Sequence, residues 1–214
     1  MPGSAGRGDA ARRAVHQPSS TMPTRMEADH TLGARALKLF LVRHCQSTGG
    51  SPESALTERG HAAAAQLADQ LIHLCPDAIY ASPYARAVST VSPLATRLQT
   101  EIDIDDRLRE RVRSSAEIED VEGYLSRSFD DENYRAVGGE SLRQAAGRGL
   151  AALADIRKAG HRCVVVASHR TLIASILRSI DPHFGLAEWR RMVTPDVFSL
   201  QFDGLRPITF ERFE

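Results

Sequence analysis

Two histidines and three arginines stand at places where packing alone does not require them. Arg43 and His44 lie together in "LFLVRHCQST" (39–48), Arg86 in "IYASPYARAVST" (79–90), and His169 and Arg170 in "VVVASHRTLI" (164–173). A guanidinium stays charged and presents a planar fork of donors that fits an oxyanion. An unprotonated imidazole is a nucleophile near neutral pH. These residue types together describe chemistry on an anion, provided that the fold brings three distant segments to one place.

The elements around them do so. "LKLFLV" (37–42) predicts a strand, "LTERGHAAAAQLADQLIHL" (56–74) a helix capped by Thr57, and "DAIYA" (77–81) a second strand. "YARAVSTVSPLATRL" (84–98) predicts a helix with a kink or boundary at Pro93, and "EIDI" (101–104) a short edge strand. "SLRQAAGRGLAALADIRKAG" (141–160) predicts a helix that Ser141 caps and Gly160 ends. The β-branched "CVVVAS" (163–168) is a buried strand, "TLIASILRSI" (171–180) a helix, and "DVFSLQFDG" (196–204) and "PITFERF" (207–213) two closing strands. Strand and helix alternate, which predicts a three-layer α/β/α sandwich around a mostly parallel sheet. Ligands in such folds bind beyond the carboxyl ends of the strands. Arg43-His44, Ser82 to Arg86, and Ser168-His169-Arg170 each follow a strand, so one edge of the sheet receives the imidazoles and guanidiniums.

Composition narrows the class. The chain has 214 residues, no formal net charge and 42% hydrophobic residues, which fits one soluble domain with a substantial core. Charge balance gives no reason to expect nucleic acid or a membrane as partner. No segment reaches the roughly 20 apolar residues of a membrane span. Of 27 basic residues only Lys38 and Lys158 are lysine, a bias that genomic base composition explains. Cys45, Cys75 and Cys163 are an odd number without metal-type spacing, which points to a reducing cytoplasm rather than a disulfide framework. Residues 1–36 lack an apolar period and are expected to be a disordered tail, leaving 37–214 as the folded domain.

The ordered segments "LVRHCQST", "ALTERGHAAAAQLA", "IYASPYARAVST", "RLRER" (107–111), "GGES" (138–141) and "VVVASHRTLI" resemble the histidine phosphatase superfamily, the phosphoglycerate mutase-like proteins, in a small bacterial phosphatase branch. The resemblance implies a phosphoglycerate mutase-like fold and a metal-independent phosphomonoester hydrolase acting on a small phosphorylated metabolite, without cofactor. His44 would take the phosphoryl group, its other ring nitrogen donating to an acceptor such as a backbone carbonyl. Arg43, Arg86 and His169 would hold the phosphoryl oxygens, with Ser47 as a further donor or a turn cap, and His169 would also act in catalysis. Glu110 would protonate the leaving oxygen and later activate water. Glu140 is assigned a structural role beside the cap at Ser141.

Three positions depart from the family pattern. Cys45 and Arg170 stand where glycine usually follows each histidine, and Gly49-Gly50 replaces an asparagine. Cys45 is expected to pack as a small residue. Arg170 would crowd the pocket, point outward, or grip a second anion on the substrate. The alternatives are a catalytically weak phosphate- or nucleotide-binding protein and a mutase-type phosphotransferase. The acidic segment 115–139 disfavours the mutase, because it repels a bisphosphate activator. Substrate identity is not legible, and a homodimer is left open.

Overall fold

A computed structural model describes residues 37–213, so the expected tail over 1–36 lies outside the described residues. Thirteen short segments alternate around one sheet. β1 (Lys38–Arg43), β2 (Ala78–Ala81), β3 (Asp103–Ile104) and β4 (Cys163–Ser168) run parallel, in the order β3-β2-β4-β1. β5 (Asp196–Asp203) pairs antiparallel with β1, and β6 (Arg206–Arg212) closes that edge antiparallel to β5. Pro207 sits in this edge strand beside a register shift at Gln201/Phe202, where a missing N–H costs least.

The alternation of strand side chains divides the core in two. Phe40, Val42, Val165 and Ala167 face α1 (Glu58–Ile72) and α2 (Ala85–Leu98). Leu39, Leu41, Val164 and Val166 face the helices α3 (Val121–Asp130), α4 (Leu142–Lys158), α5 (Arg170–Ile180) and α6 (Leu186–Arg191). A helical layer thus covers each face of the sheet, giving the three layers that the alternating pattern implied. β4 is buried along its whole length, as its uninterrupted apolar run requires.

The caps behave as the sequence indicated. Thr57 accepts from Gly60 N at 3.0 Å, and Ser141 forms a reciprocal capping box with Gln144. Gly160 takes φ +83° directly after α4, a left-handed conformation that glycine adopts freely. Gly60 has a different purpose: a Cβ there would lie 2.1 Å from the Gln46 carbonyl oxygen. Its absence lets α1 dock against the loop that follows His44.

α2 covers the expected span to Leu98, with no boundary at Pro93, whereas two further helices were not anticipated. The buried Val91, Leu94 and Ala95 hold it against the sheet, and that packing outweighs a proline cost of about 3 kcal/mol. α3 and α6 were not legible as helices. α3 mixes charged and polar residues with a short apolar set, Val121, Tyr124, Leu125 and Phe129, and α6 has only 6 residues.

Candidate active site

The pairing of β1 with β4 builds the centre of the site. Arg43 is in register with Ser168, and His44 N donates to the Ser168 carbonyl at 3.0 Å. The next residue on each strand is a histidine, so the two rings meet edge to face, with centroids 5.2 Å apart. β2 delivers Ser82 on the other side of β4, where Ser82 N donates to the Ala167 carbonyl. Arg86 follows on the first turn of α2. Residues 125 positions apart are neighbours because adjacent parallel strands end together.

His44 has a defined tautomer. Nδ1 lies 2.7 Å from the Cys45 carbonyl oxygen, which only accepts, so Nδ1 carries the proton. Nε2 keeps its lone pair and accepts from Arg86 Nε at 3.1 Å. Burial pushes the ring pKa down to about 4, and Arg86, Arg43 and Arg170 push in the same direction, while the bond to Cys45 opposes them. The ring is neutral at pH 7.

The guanidiniums are held from behind. Arg43 donates to the carbonyls of Met192 and Val193 at 2.6 and 2.9 Å, and burial lowers its pKa to about 10. Arg86 is 3% exposed and donates to the Ser51 carbonyl at 2.7 Å. His169 is fully buried behind His44. Its Nε2 lies 2.7 Å from the Ser82 hydroxyl, its Nδ1 has no partner among the described residues, and burial holds its pKa well below the usual imidazole value. Ser47 lines the cleft, yet its hydroxyl donates to the Gly49 carbonyl at 2.9 Å, the turn-capping arrangement.

Glu110 reaches the same cleft from the loop 105–112. His169 is the N-cap residue of α5 and makes no side-chain cap. Glu110 does it instead: Oε1 accepts from Leu172 N at 3.0 Å and from Arg111 N at 2.8 Å, and Oε2 from Thr171 N at 3.2 Å. The loop itself is stitched by Arg148. Its guanidinium donates to the carbonyls of Arg107, Arg109 and Glu110 and forms a two-pronged pair with Glu140, 2.8 Å on each prong. Ser168 Oγ adds a bond to the Leu108 carbonyl. Glu140 is thus structural, as expected, with a definite task.

Arg43, His44, Ser47, Arg86 and Glu110 line one cleft of about 290 Å³. His169 backs it. The sequence reading missed several of the other walls. Arg111 and Arg113 come from the far end of the Glu110 loop, Val121 and Leu125 from α3, and Trp189 from α6. Only the density of arginine in "RLRERVR" (107–113) signalled any of these. Arg170 lines the cleft with its guanidinium carbon over the Trp189 ring, 3.7 Å from its centroid. Cys45 points away. It is fully buried with Leu56 and Ala64, and burial raises its thiol pKa to about 11.

Comparison with known proteins agrees with this geometry. Residues 39–204 match the histidine phosphatase superfamily (branch 1). A stretch of 80 residues is 38% identical to a putative phosphoserine phosphatase 2 of Hydrogenobacter thermophilus and spans 34% of this chain and 39% of that protein, well under two thirds of its length. Among solved structures, a mycobacterial glucosyl-3-phosphoglycerate phosphatase has a TM-score of 0.65 at 22% identity, covering 83% of this chain and 97% of that one. A phosphoserine phosphatase of Entamoeba histolytica, solved with phosphoserine, has a TM-score of 0.67 at 19% identity, covering 81% and 96%. Both structures share the fold. The ordered motifs, their convergence on one sheet edge and a family match over more than half of its length establish that the chain belongs to the histidine phosphatase superfamily.

Proposed function

We propose that the protein is a phosphomonoester hydrolase that works through a phosphohistidine on His44, with a small phosphorylated metabolite as substrate. One observation carries the reading: a neutral imidazole with its Nε2 lone pair free of protons, set among guanidiniums at the mouth of a cleft. The Nε2 lone pair forms the P–N bond as the ester P–O bond breaks. Arg43 and Arg86 take the equatorial oxygens, where the charge of the transition state lies. Arg86 exchanges its bond to Nε2 for one to the phosphoryl group. The bond from Nδ1–H to the Cys45 carbonyl persists and stabilises the cationic phosphoimidazole.

Glu110 passes a proton to the leaving alkoxide. It then takes one from the water that attacks phosphorus, and P–N cleavage returns His44 to its starting state. His169 supports the phosphoryl site from behind, and Ser47 contributes through the turn it caps. The sequence reading requires no metal or cofactor. The named activities of the relatives, on phosphoserine and on a glucosyl-3-phosphoglycerate, favour small metabolites as substrates.

The non-catalytic alternative draws on the departures from the family pattern. The buried position of Cys45 takes away one of its supports, because the thiol packs behind the site without entering it. The acidic segment beside the cleft continues to favour hydrolysis over mutase chemistry. With p-nitrophenyl phosphate in EDTA, the wild type should turn over and His44→Ala should lose at least about a thousandfold in kcat. Equal rates in the two proteins would refute the reading.

A further inference from the structure

The cleft holds more positive charge than one phosphoryl group can use. Arg43, Arg86, Arg111, Arg113 and Arg170 line it, against the single carboxylate of Glu110. A phosphomonoester brings about two negative charges, which leaves a net excess of about two positive charges in a confined space. Like charges at this density repel one another, and Arg170 lowers the pKa of Arg43 for that reason.

The arginines differ in what they already do. Arg43 and Arg86 lie closest in effect to the nucleophile, and their forks are braced on backbone carbonyls. Arg111 is committed to Tyr124, Ser128 and the Glu140 carbonyl. Arg170 and Arg113 donate no side-chain hydrogen bond to any described residue. Arg170 is nevertheless held in place, with its guanidinium carbon 3.7 Å over the centroid of the buried Trp189 ring. Trp189 is held in turn, its Nε1–H donating to Thr171 Oγ1 at 3.4 Å. A pre-set guanidinium with unused donors on a cleft wall is a receptor for a planar, bidentate anion.

We propose that Arg170, stacked on Trp189, forms with Arg113 a second anion site beside the phosphoryl site, and that it selects phosphomonoesters carrying a carboxylate. The proposal rests on the phosphomonoesterase reading for the first site. A carboxylate suits the site because its two coplanar oxygens match the donor fork of a guanidinium, and its charge offsets part of the excess that the phosphoryl group leaves; a second phosphate is the rival that the bisphosphate comparison decides. The arginine that replaces a glycine after His169 thereby gains a role: it converts a general phosphoryl pocket into a two-point clamp.

The test compares 3-phosphoglycerate with glycerol 3-phosphate, which has a hydroxymethyl group in place of the carboxylate, and with glycerol 1,3-bisphosphate. In the wild type kcat/KM for the carboxylate should exceed that for the neutral compound by about ten- to a hundredfold, the range of one charge-assisted bidentate contact. Arg170→Gln should bring the ratio close to one, and Arg170→Lys should restore only part of it. A ratio taken on one preparation is independent of the fraction that folds. A wild type that does not distinguish the carboxylate, or an unchanged ratio in Arg170→Gln, overturns the proposal. A preference for the bisphosphate overturns the carboxylate assignment. If nothing is hydrolysed, calorimetry with the same compounds decides separately. Tighter binding of the carboxylate, lost in Arg170→Gln, upholds the second site while hydrolysis fails; equal affinities overturn it.

Discussion

The two sides of the cleft are built on different terms. On the strand-end side each side chain is braced before any ligand arrives, although Arg43 Nε and His169 Nδ1 stay without a partner among the described residues: Arg43 by two carbonyls, His44 by Cys45 and Arg86, Arg86 by Ser51, and His169 by Ser82. On the helical side α3 and α6 supply Val121, Leu125 and Trp189, and the guanidiniums of Arg113 and Arg170 make no hydrogen bond to a described residue. Arg190 of α6 pairs with Glu122 of α3 and links those two helices. A reaction centre must be preorganised, since alignment within fractions of an ångström decides the rate. A recognition surface has to remain open to its ligand. The contrast predicts that damage to the first side falls on kcat and damage to the second on discrimination between substrates.

The largest effects should come from the strand-end side and the carboxylate that faces it. His44→Ala removes the proposed nucleophile and is the extreme case. Glu110→Gln keeps the shape and the acceptor oxygen at the start of α5 but has no proton to give. Its kcat should fall by about 10² to 10⁴, less for aryl phosphates, whose leaving groups need little protonation. A fall of equal size for aryl and alkyl esters would show that Glu110 acts by holding the structure alone.

The loop that joins the two sides can be loosened without touching either. Arg148→Met strips three carbonyls of their donor and leaves the partly buried Glu140 without its ion pair, with the Val112 N–H still donating to it. It should cost about 3 kcal/mol in urea denaturation and lower kcat by releasing Glu110. Loss of stability with kcat intact would mean that the loop keeps Glu110 in place without Arg148.

A smaller effect concerns pH. The folded protein holds His44 near pKa 4 and His169 well below its usual value, whereas the unfolded chain binds a proton on each at about 6.5. The unfolded state therefore binds more protons below that point, and stability must fall as pH drops from 6.5 toward 4. His44 alone should lower stability at pH 5 by about 2 kcal/mol relative to pH 7, His169 should add to that loss, and the slope should be shallower in His44→Ala. A flat profile between pH 7 and 5 would show that the rings are not held neutral by the fold.

How far the sequence disclosed this arrangement follows the same division. β1, β2 and β4 were legible because a buried parallel strand writes an unbroken apolar run, and the residues that leave each strand are the chemistry itself. α1 and α4 were legible through apolar spacing and the caps at Thr57 and Ser141. The helical side was not. α3 and α6 touch the core with few side chains, so neither carries a long apolar period. Trp189 is a lone aromatic whose partner, Arg170, is given only by the packing of α6 against α5. Glu110 was found through its motif, yet its place at the start of α5 depends on Arg148 and Glu140, which no local pattern connects to it.

The central claim is a covalent one and is tested most directly by trapping the adduct. Wild-type protein is quenched during turnover of a labelled phosphomonoester, and the phosphoryl group is located by mass spectrometry under alkaline conditions. The account predicts an acid-labile phosphate on the peptide containing His44, absent from His44→Ala. Turnover in which no phosphate reaches His44, or an adduct on a different residue, would contradict it.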